Sequence, residues 1–326
     1  IEAKLNALRR LPEPNCLIAV SGGRDSCYGL HVAKKELGLK PAAFTYDWGM
    51  VTDIARRNTS RVCAKLGIEH ILVSADIDKK RENVRKNVEA WLRRPDLGTV
   101  PLFTAGDKQF YYYANKLKRQ LGVDAIIFCE NGRLEKTWFK AGFCGIDEGS
   151  RRLWNISLAE KLKLGAYYGR AFATNPAFLN GSLVDTFKAY IASYYLPHDY
   201  LQLFNYVDWR EDEVERVLRA EYGWEFAPDA ETSWRIGDGT APFYNYIYHT
   251  IAGFTEFDTF RSNQIRAGHL DRDTALARIG VDNRPRFEAI REYLNLIGVN
   301  FDKAIRIIES IPRLYPTGLH PSRVHP

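Results

Sequence analysis

A chain of 326 residues with 45 % hydrophobic and 26 % charged content can bury one large core or two moderate ones, which excludes a disordered or fibrous polymer. The formal charge of +6 and pI near 8.9 suit a polyanionic ligand, either a nucleotide or RNA, without choosing between them. Cys16, Cys27, Cys63, Cys129 and Cys144 show no Cys-x-x-Cys spacing, so a zinc knuckle or dithiol motif is not expected, and their setting in apolar runs predicts reduced thiols in a cytoplasmic protein.

No apolar run reaches the roughly twenty residues of a membrane span. The only methionine is Met50, so a further N-terminal segment is expected ahead of Ile1. Residues 1–14 predict a short basic helix with Leu5, Leu8 and Leu11 on one face, ended by Pro12 and Pro14. A β/α alternation follows, with strands expected at 16–20, 42–46, 70–74, 125–129 and 201–207. It predicts a doubly wound parallel five-stranded sheet, covered by helices, with ligands at the carboxyl ends of the strands.

Between the first strand and a helical pattern over 27–37 lies Ser21-Gly22-Gly23-Arg24-Asp25-Ser26. Two glycines let the backbone turn sharply and present consecutive N–H groups, and the following helix adds its positive end at the same place. Ser21 and Ser26 add hydroxyl donors, Asp25 can hold a magnesium ion, and Arg24 carries a charge suited to phosphate. The segment is neither a Walker loop nor a Gly-x-Gly-x-x-Gly turn. It resembles the Ser-Gly-Gly-x-Asp-Ser signature of the PP-loop ATP pyrophosphatases, the asparagine synthetase-like superfamily. Those enzymes adenylate a substrate oxygen with ATP and Mg2+, release pyrophosphate, and let a nucleophile displace AMP.

The second strand ends Tyr46-Asp47-Trp48, and the resemblance implies that this edge lies along the adenosine, with Asp47 near the ribose and Tyr46 at the adenine. The plain alternative makes Asp47 a helix cap and Trp48 a gap filler. Arg56 and Arg57 follow on a helix and can neutralise phosphate or face solvent. The fourth strand ends Glu130-Asn131-Gly132 at the same edge, so Glu130 pairs with Asp25 as the expected magnesium ligands and Asn131 and Gly132 join the nucleotide site. Cys27 reads as packing under the helix start, and His31 as a core or surface residue.

Helical patterns at 77–92 and 108–121 fill the third connection around Pro95 and Pro101, and 150–196 reads as a helical, aromatic-rich insertion. Six helical patterns occupy 210–310, with Gly268 as a C-cap. The expected organisation is a PP-loop domain over 1–209, a helical region over 210–311, and an extended tail over 312–326.

Several segments resemble the N-acetyl sugar amidotransferase family, PP-loop enzymes of surface-polysaccharide synthesis. They are Val20–Ser26, Phe44–Gly49, Phe128–Gly132, Asn205–Trp209, Glu221–Trp224, Ser233–Gly239 and Ile265–Gly268. The resemblance implies ammonia transfer to an N-acetyl sugar, with Asp208, Arg235 and Asp238 on the substrate side, although Arg235 and Asp238 can also simply pair. It implies a separate glutaminase subunit with an ammonia channel, since no glutaminase nucleophile can be located. Where the family carries a Cys-x-x-Cys, this chain reads Leu97 to Thr104, so structural zinc is not expected. The alternatives are a tRNA-modifying PP-loop enzyme, disfavoured because bases and acids are interspersed, and a non-catalytic nucleotide-binding module.

Overall fold

The computed structural model describes residues 2–135, 139–146 and 156–314. Five parallel strands, β1 (Cys16–Ala19), β2 (Pro41–Asp47), β3 (His70–Ser74), β4 (Ile126–Phe128) and β5 (Leu201–Gln202), form one sheet in the order β3-β2-β1-β4-β5. All four pairings are parallel, as the β/α alternation predicts. The order reverses beside β1, whose neighbours β2 and β4 diverge in connection, and this is where an open α/β sheet leaves a crevice.

Helix α1 (Glu2–Arg9) precedes the sheet, and α2 (Arg24–His31) runs into a wider π-helical turn, Val32–Glu36. Next come α3 (Asp53–Leu66), α4 (Ile77–Arg93) and α5 (Phe110–Leu121). Before α5 the chain coils through two 3-10 segments, Leu97–Thr104 and Asp107–Gln109, so the helix expected to start at Lys108 starts at Phe110. The short α6 (Phe139–Gly142) follows β4. The expected helical insertion contains α7 (Leu158–Thr174), opened by a Ser157/Glu160 capping box, and α8 (Leu183–Tyr194). Residues 150–155 of it lie outside the described residues.

The remainder is helical: α9 (Glu211–Val217), α10 (Ala241–Ala252), α11 (Glu256–Arg266), α12 (Arg272–Asp282), α13 (Phe287–Leu296) and α14 (Phe301–Ser310). Gly268 takes φ +70° just past α11, as its C-cap expectation requires. The tail expected over 312–326 falls outside the described residues from 315 onward. Among the described residues, no helix is long and apolar enough to cross a membrane.

Strand alternation sorts the core into two layers. Leu17, Phe44, Tyr46, Ile126 and Phe128 face one side with α4, α5, α10, α13 and α14, while Ile18, Val20, Ile127 and Cys129 face the other with α2, α3, α9 and α11. Residues 210–311 therefore contribute to both faces of the sheet and share its core. All five cysteines are free and buried, and burial raises the thiols, Cys63 to about 11 and Cys16 and Cys144 to about 12. Cys27 packs with no solvent exposure, in accord with its bland reading.

Candidate active site

The turn from β1 to α2 is built for close backbone approach. Gly22 sits at φ +76°, and a Cβ there would lie 2.1 Å from the Ala55 carbonyl oxygen on α3, so only glycine fits. Ser26 Oγ donates to the Gly23 carbonyl at 3.1 Å and accepts from the Ser21 N–H at 3.1 Å, which stitches the loop closed from inside. Gly23 caps α2 without a side-chain bond, so the free donors of the helix start remain for a ligand. Thr45 Oγ1 donates to the Val20 carbonyl at 2.6 Å, and Trp224 Nε1 to the Gly22 carbonyl at 3.3 Å, fixing the loop from below.

A second segment, Trp234 to Gly239, crosses the loop. Thr52 donates through Oγ1 to the Ile236 carbonyl at 2.9 Å, and Val51 and Asp238 form an antiparallel bridge. A Cβ on Gly237 would meet the Ser21 carbonyl oxygen at 3.2 Å, so the two backbones nearly touch. Between this strap and the sheet edge opens a cleft of about 270 Å³. It is lined by Ser21, Gly23, Asp25 and Ser26 of the loop, by Phe44, Tyr46 and Trp48 of the second strand and its end, and by Asp107, Lys108, Phe128 and Glu130.

Asp25 Oδ1 accepts from Trp209 Nε1 at 2.7 Å, which aims the carboxylate at the cleft. Glu135 lines the cleft with Asp25; burial, then the Asp25 charge, push the Glu135 carboxyl well above its ordinary range. Its Oε1 is buried without a partner. Two carboxyl groups lining one cleft, one with an orphaned oxygen, fit a divalent cation, which in nucleotide sites takes one or two carboxylates and completes its shell with phosphate and water. Glu130, expected beside Asp25, is exposed at the cleft rim. Among the described residues, no group of three or more His, Cys, Asp or Glu side chains is arranged for a metal.

Arg24, expected at the phosphates, lines the cleft with its guanidinium held in a buried ion pair. It is 1 % exposed, donates to Glu211 Oε1 at 2.6 Å and Ser233 Oγ at 2.9 Å, and lies over the rings of Trp209 and Phe260. Asp47 is likewise occupied: Oδ1 accepts from the Gly49 N–H at 2.9 Å and Oδ2 from Arg56 Nη2 at 2.8 Å, so it braces the strand end instead of reaching a ribose. Arg57 pairs with Glu225 at the surface. Asn131 Oδ1 accepts from the Arg133 and Leu134 N–H groups in a local turn, and neither Asn131 nor Gly132 lines the cleft. Asp208 is exposed and outside it as well.

Arg235 and Asp238 both line the cleft but do not pair with each other. Asp238 Oδ1 accepts from the Thr240 N–H at 2.9 Å and hydroxyl at 2.6 Å. Arg235 pairs with Glu256 at 3.3 Å and is the one non-glycine residue with positive φ, +60°, among the described residues. Glu256 is buried and also accepts from Lys140 Nζ at 2.6 Å and the Tyr244 hydroxyl at 3.0 Å. Burial opposes its charge, yet Arg235 and Lys140 outweigh it and hold the carboxyl at about 2. Left-handed backbone strain at a cleft residue is characteristic of a functional position.

Sequence reasoning missed Glu135, Asp107, Lys108 and the Lys140–Glu256 pair. Glu135 lies five residues beyond Glu130 in a loop, where only distance from the strand end separates them in the sequence.

No protein-family model matches the chain, and no curated protein matches it. Among solved structures, the chain is similar to an NH3-dependent NAD synthetase from Campylobacter jejuni subsp. jejuni NCTC 11168 in complex with the nitrate ion. That similarity is 12 % identical with a TM-score of 0.28, covering 60 % of this chain and 96 % of that one. An NMN synthetase from Francisella tularensis is 14 % identical with a TM-score of 0.34, covering 97 % of both chains. At these values the geometry of the cleft alone carries the functional reading.

Proposed function

We propose that this protein is an ATP-dependent ligase of the PP-loop type that forms AMP and pyrophosphate and transfers ammonia to an activated oxygen acceptor. The observation that carries this is the uncapped start of α2 facing a cleft, with the Asp25–Glu135 carboxyl pair beside it at the reversal point of the sheet. A polyphosphate finds there backbone donors, the Ser21 hydroxyl and a helix N-terminus already oriented. Phe44, Tyr46 and Trp48 offer a wall on which an adenosine can pack. Asp25 and Glu135 would hold magnesium, with Glu130 at the rim, and the ion would supply positive charge to the phosphate oxygens.

The acceptor oxygen attacks the α-phosphorus, the bond to the pyrophosphate oxygen breaks, and the acceptor becomes an adenylate. Ammonia then attacks the activated carbon and AMP departs with the former acceptor oxygen, giving an amide from a carboxylate or an amidine from an acetamido group. The loop donors, already in place, stabilise the charge that gathers on the leaving pyrophosphate. Lys108 and Arg235 add cationic side chains to the cleft lining, Arg235 with its guanidinium paired to Glu256.

An N-acetyl sugar as acceptor, in surface-polysaccharide synthesis, is supported by the resemblance of the C-terminal segments, of which Ser233–Gly239 contributes Trp234, Arg235 and Asp238 to the cleft. Pyrophosphate release from ATP and magnesium, measured with ammonium and a panel of nucleotide-linked N-acetyl sugars and simple carboxylates, tests both levels. Release with one sugar names the acceptor, release only with a carboxylate replaces the sugar, and absence of release with every acceptor overturns the ligase.

A further inference from the structure

The insertion between β4 and β5 sends one buried carboxylate into the packing behind the cleft. Asp185 on α8 accepts from Lys80 Nζ at 2.5 Å and Asn83 Nδ2 at 2.7 Å on α4, and from Gln109 Nε2 at 2.8 Å. All four side chains are buried. Gln109 Oε1 in turn accepts from the Tyr46 hydroxyl at 3.4 Å, and Tyr46 stacks on Tyr113 at 4.9 Å while its other side lines the cleft. The Lys80 stem leads to the second aromatic. Gly106 is pressed between them, since a Cβ there would lie 3.3 Å from both Lys80 Cδ and Trp48 Cε3.

One carboxylate therefore stands behind both Tyr46 and Trp48, and behind the short 3-10 turn beside them that brings Asp107 and Lys108 to the cleft. A buried ion pair of this kind contributes little net stability compared with apolar packing, and is better suited to fixing one arrangement of the groups around it. The hydrogen-bonding inventory agrees: Gln109 is oriented by Asp185 so that its carbonyl oxygen, not its amide nitrogen, meets the Tyr46 hydroxyl. We infer that Asp185 is a positioning residue that sets the aromatic wall of the nucleotide cleft from within the insertion. The inference rests on the nucleotide reading of the cleft.

The test is isothermal titration of the full chain with two probes, ATP with magnesium and inorganic pyrophosphate with magnesium. Pyrophosphate occupies the loop alone, whereas ATP also uses the wall. Asp185→Asn is expected to weaken ATP about tenfold and to leave pyrophosphate within about twofold of the wild type. Gln109→Met, which breaks the relay to Tyr46 and keeps the Lys80–Asp185 pair, is expected to weaken ATP in the same selective way and serves if the first variant does not fold. Unchanged ATP binding in the folded variants, or equal weakening of both probes, overturns the positioning role. A wild-type chain that binds neither probe overturns the nucleotide reading itself, and the inference with it.

Discussion

Arg24 Nη1 donates to Glu211 Oε1 at 2.6 Å across 187 positions of sequence, joining the first residue of α2 to the first residue of α9. The other Glu211 oxygen accepts from Arg261, from Gln264 at 3.1 Å and from Arg278 at 2.9 Å. The helix that supplies the phosphate cradle is thereby fixed to the C-terminal helices through a single carboxylate, with the Arg24 guanidinium sandwiched against Trp209 and Phe260.

Glu211→Ala takes the nearest carboxylate from the buried Arg24, which keeps Asp25 at 3.4 Å, and leaves the buried Arg261 with Asp282 as its one carboxylate partner. The expected cost is about 3–5 kcal/mol of folding stability, read as a lower urea midpoint at unchanged slope. Arg24→Met removes a charge that is spent on Glu211, so it should lower pyrophosphate release far less than Asp25→Asn does. Equal losses in the two variants would return Arg24 to the phosphates.

The same carboxylates set an acid limit. Burial opposes the charge on Glu211, but Arg24 and Arg261 outweigh it and hold the group at about 2, as Arg235 and Lys140 do for Glu256. Both native values lie below the ordinary one of about 4.3, so the unfolded chain takes up protons first as pH falls. The stabilisation is complete above about pH 4.3 and is lost as pH drops toward 2, on the order of 3 kcal/mol per group. Urea midpoints measured from about pH 6 to about pH 3 should fall steeply below about pH 4.5, and a flat profile would contradict the pairing.

The loop itself gives a sharper contrast. Gly22→Ala places a methyl group 2.1 Å from the Ala55 carbonyl oxygen at a φ of +76°, so the loop must shift and ATP binding should be lost while the sheet stays folded. Asp25→Asn keeps the shape and the Trp209 bond but removes a charge, and should abolish magnesium-dependent turnover with ATP binding reduced less than in Gly22→Ala. Paired titration and pyrophosphate-release measurements separate the two, and turnover surviving in Asp25→Asn would remove that carboxylate from the mechanism.

Local pattern carried the sheet and the loop into view, because each strand of an α/β fold is a short apolar run and the glycine turn sits between one such run and a helix. β5 shows where that logic stops. The run Leu201–Val207 reads as a strand, yet the chain leaves the sheet after Gln202 and coils through Leu203–Asn205, because Leu203 and Phe204 are drawn into the second core layer beneath α2. The strand-end acids illustrate a different limit. Asp47 and Glu130 look equivalent in the sequence, but Asp47 is consumed by Arg56 nine residues later and Glu130 stands at the rim, while Glu135 lines the cleft with Asp25. Pairings such as Lys140 with Glu256, 116 positions apart, follow from tertiary packing and leave no local spacing to read.

Arg235 combines a strained backbone with a charged side chain in the cleft, and the two contributions separate by substitution. At φ +60° any residue with a Cβ is disfavoured, whereas glycine is at ease. Arg235→Gly and Arg235→Ala both delete the guanidinium facing Glu256, so both should leave that buried carboxylate short of a partner and lower pyrophosphate release alike. Only Arg235→Gly also relieves the strain, and it should be more stable than Arg235→Ala by about 1 kcal/mol in urea unfolding. Equal stability of the two variants would mean that the backbone relaxes once the arginine is gone, and that Glu256 imposes the left-handed conformation through the side chain. Retained turnover in both would take the Arg235 charge out of the reaction while leaving the strain as a structural feature of the strap.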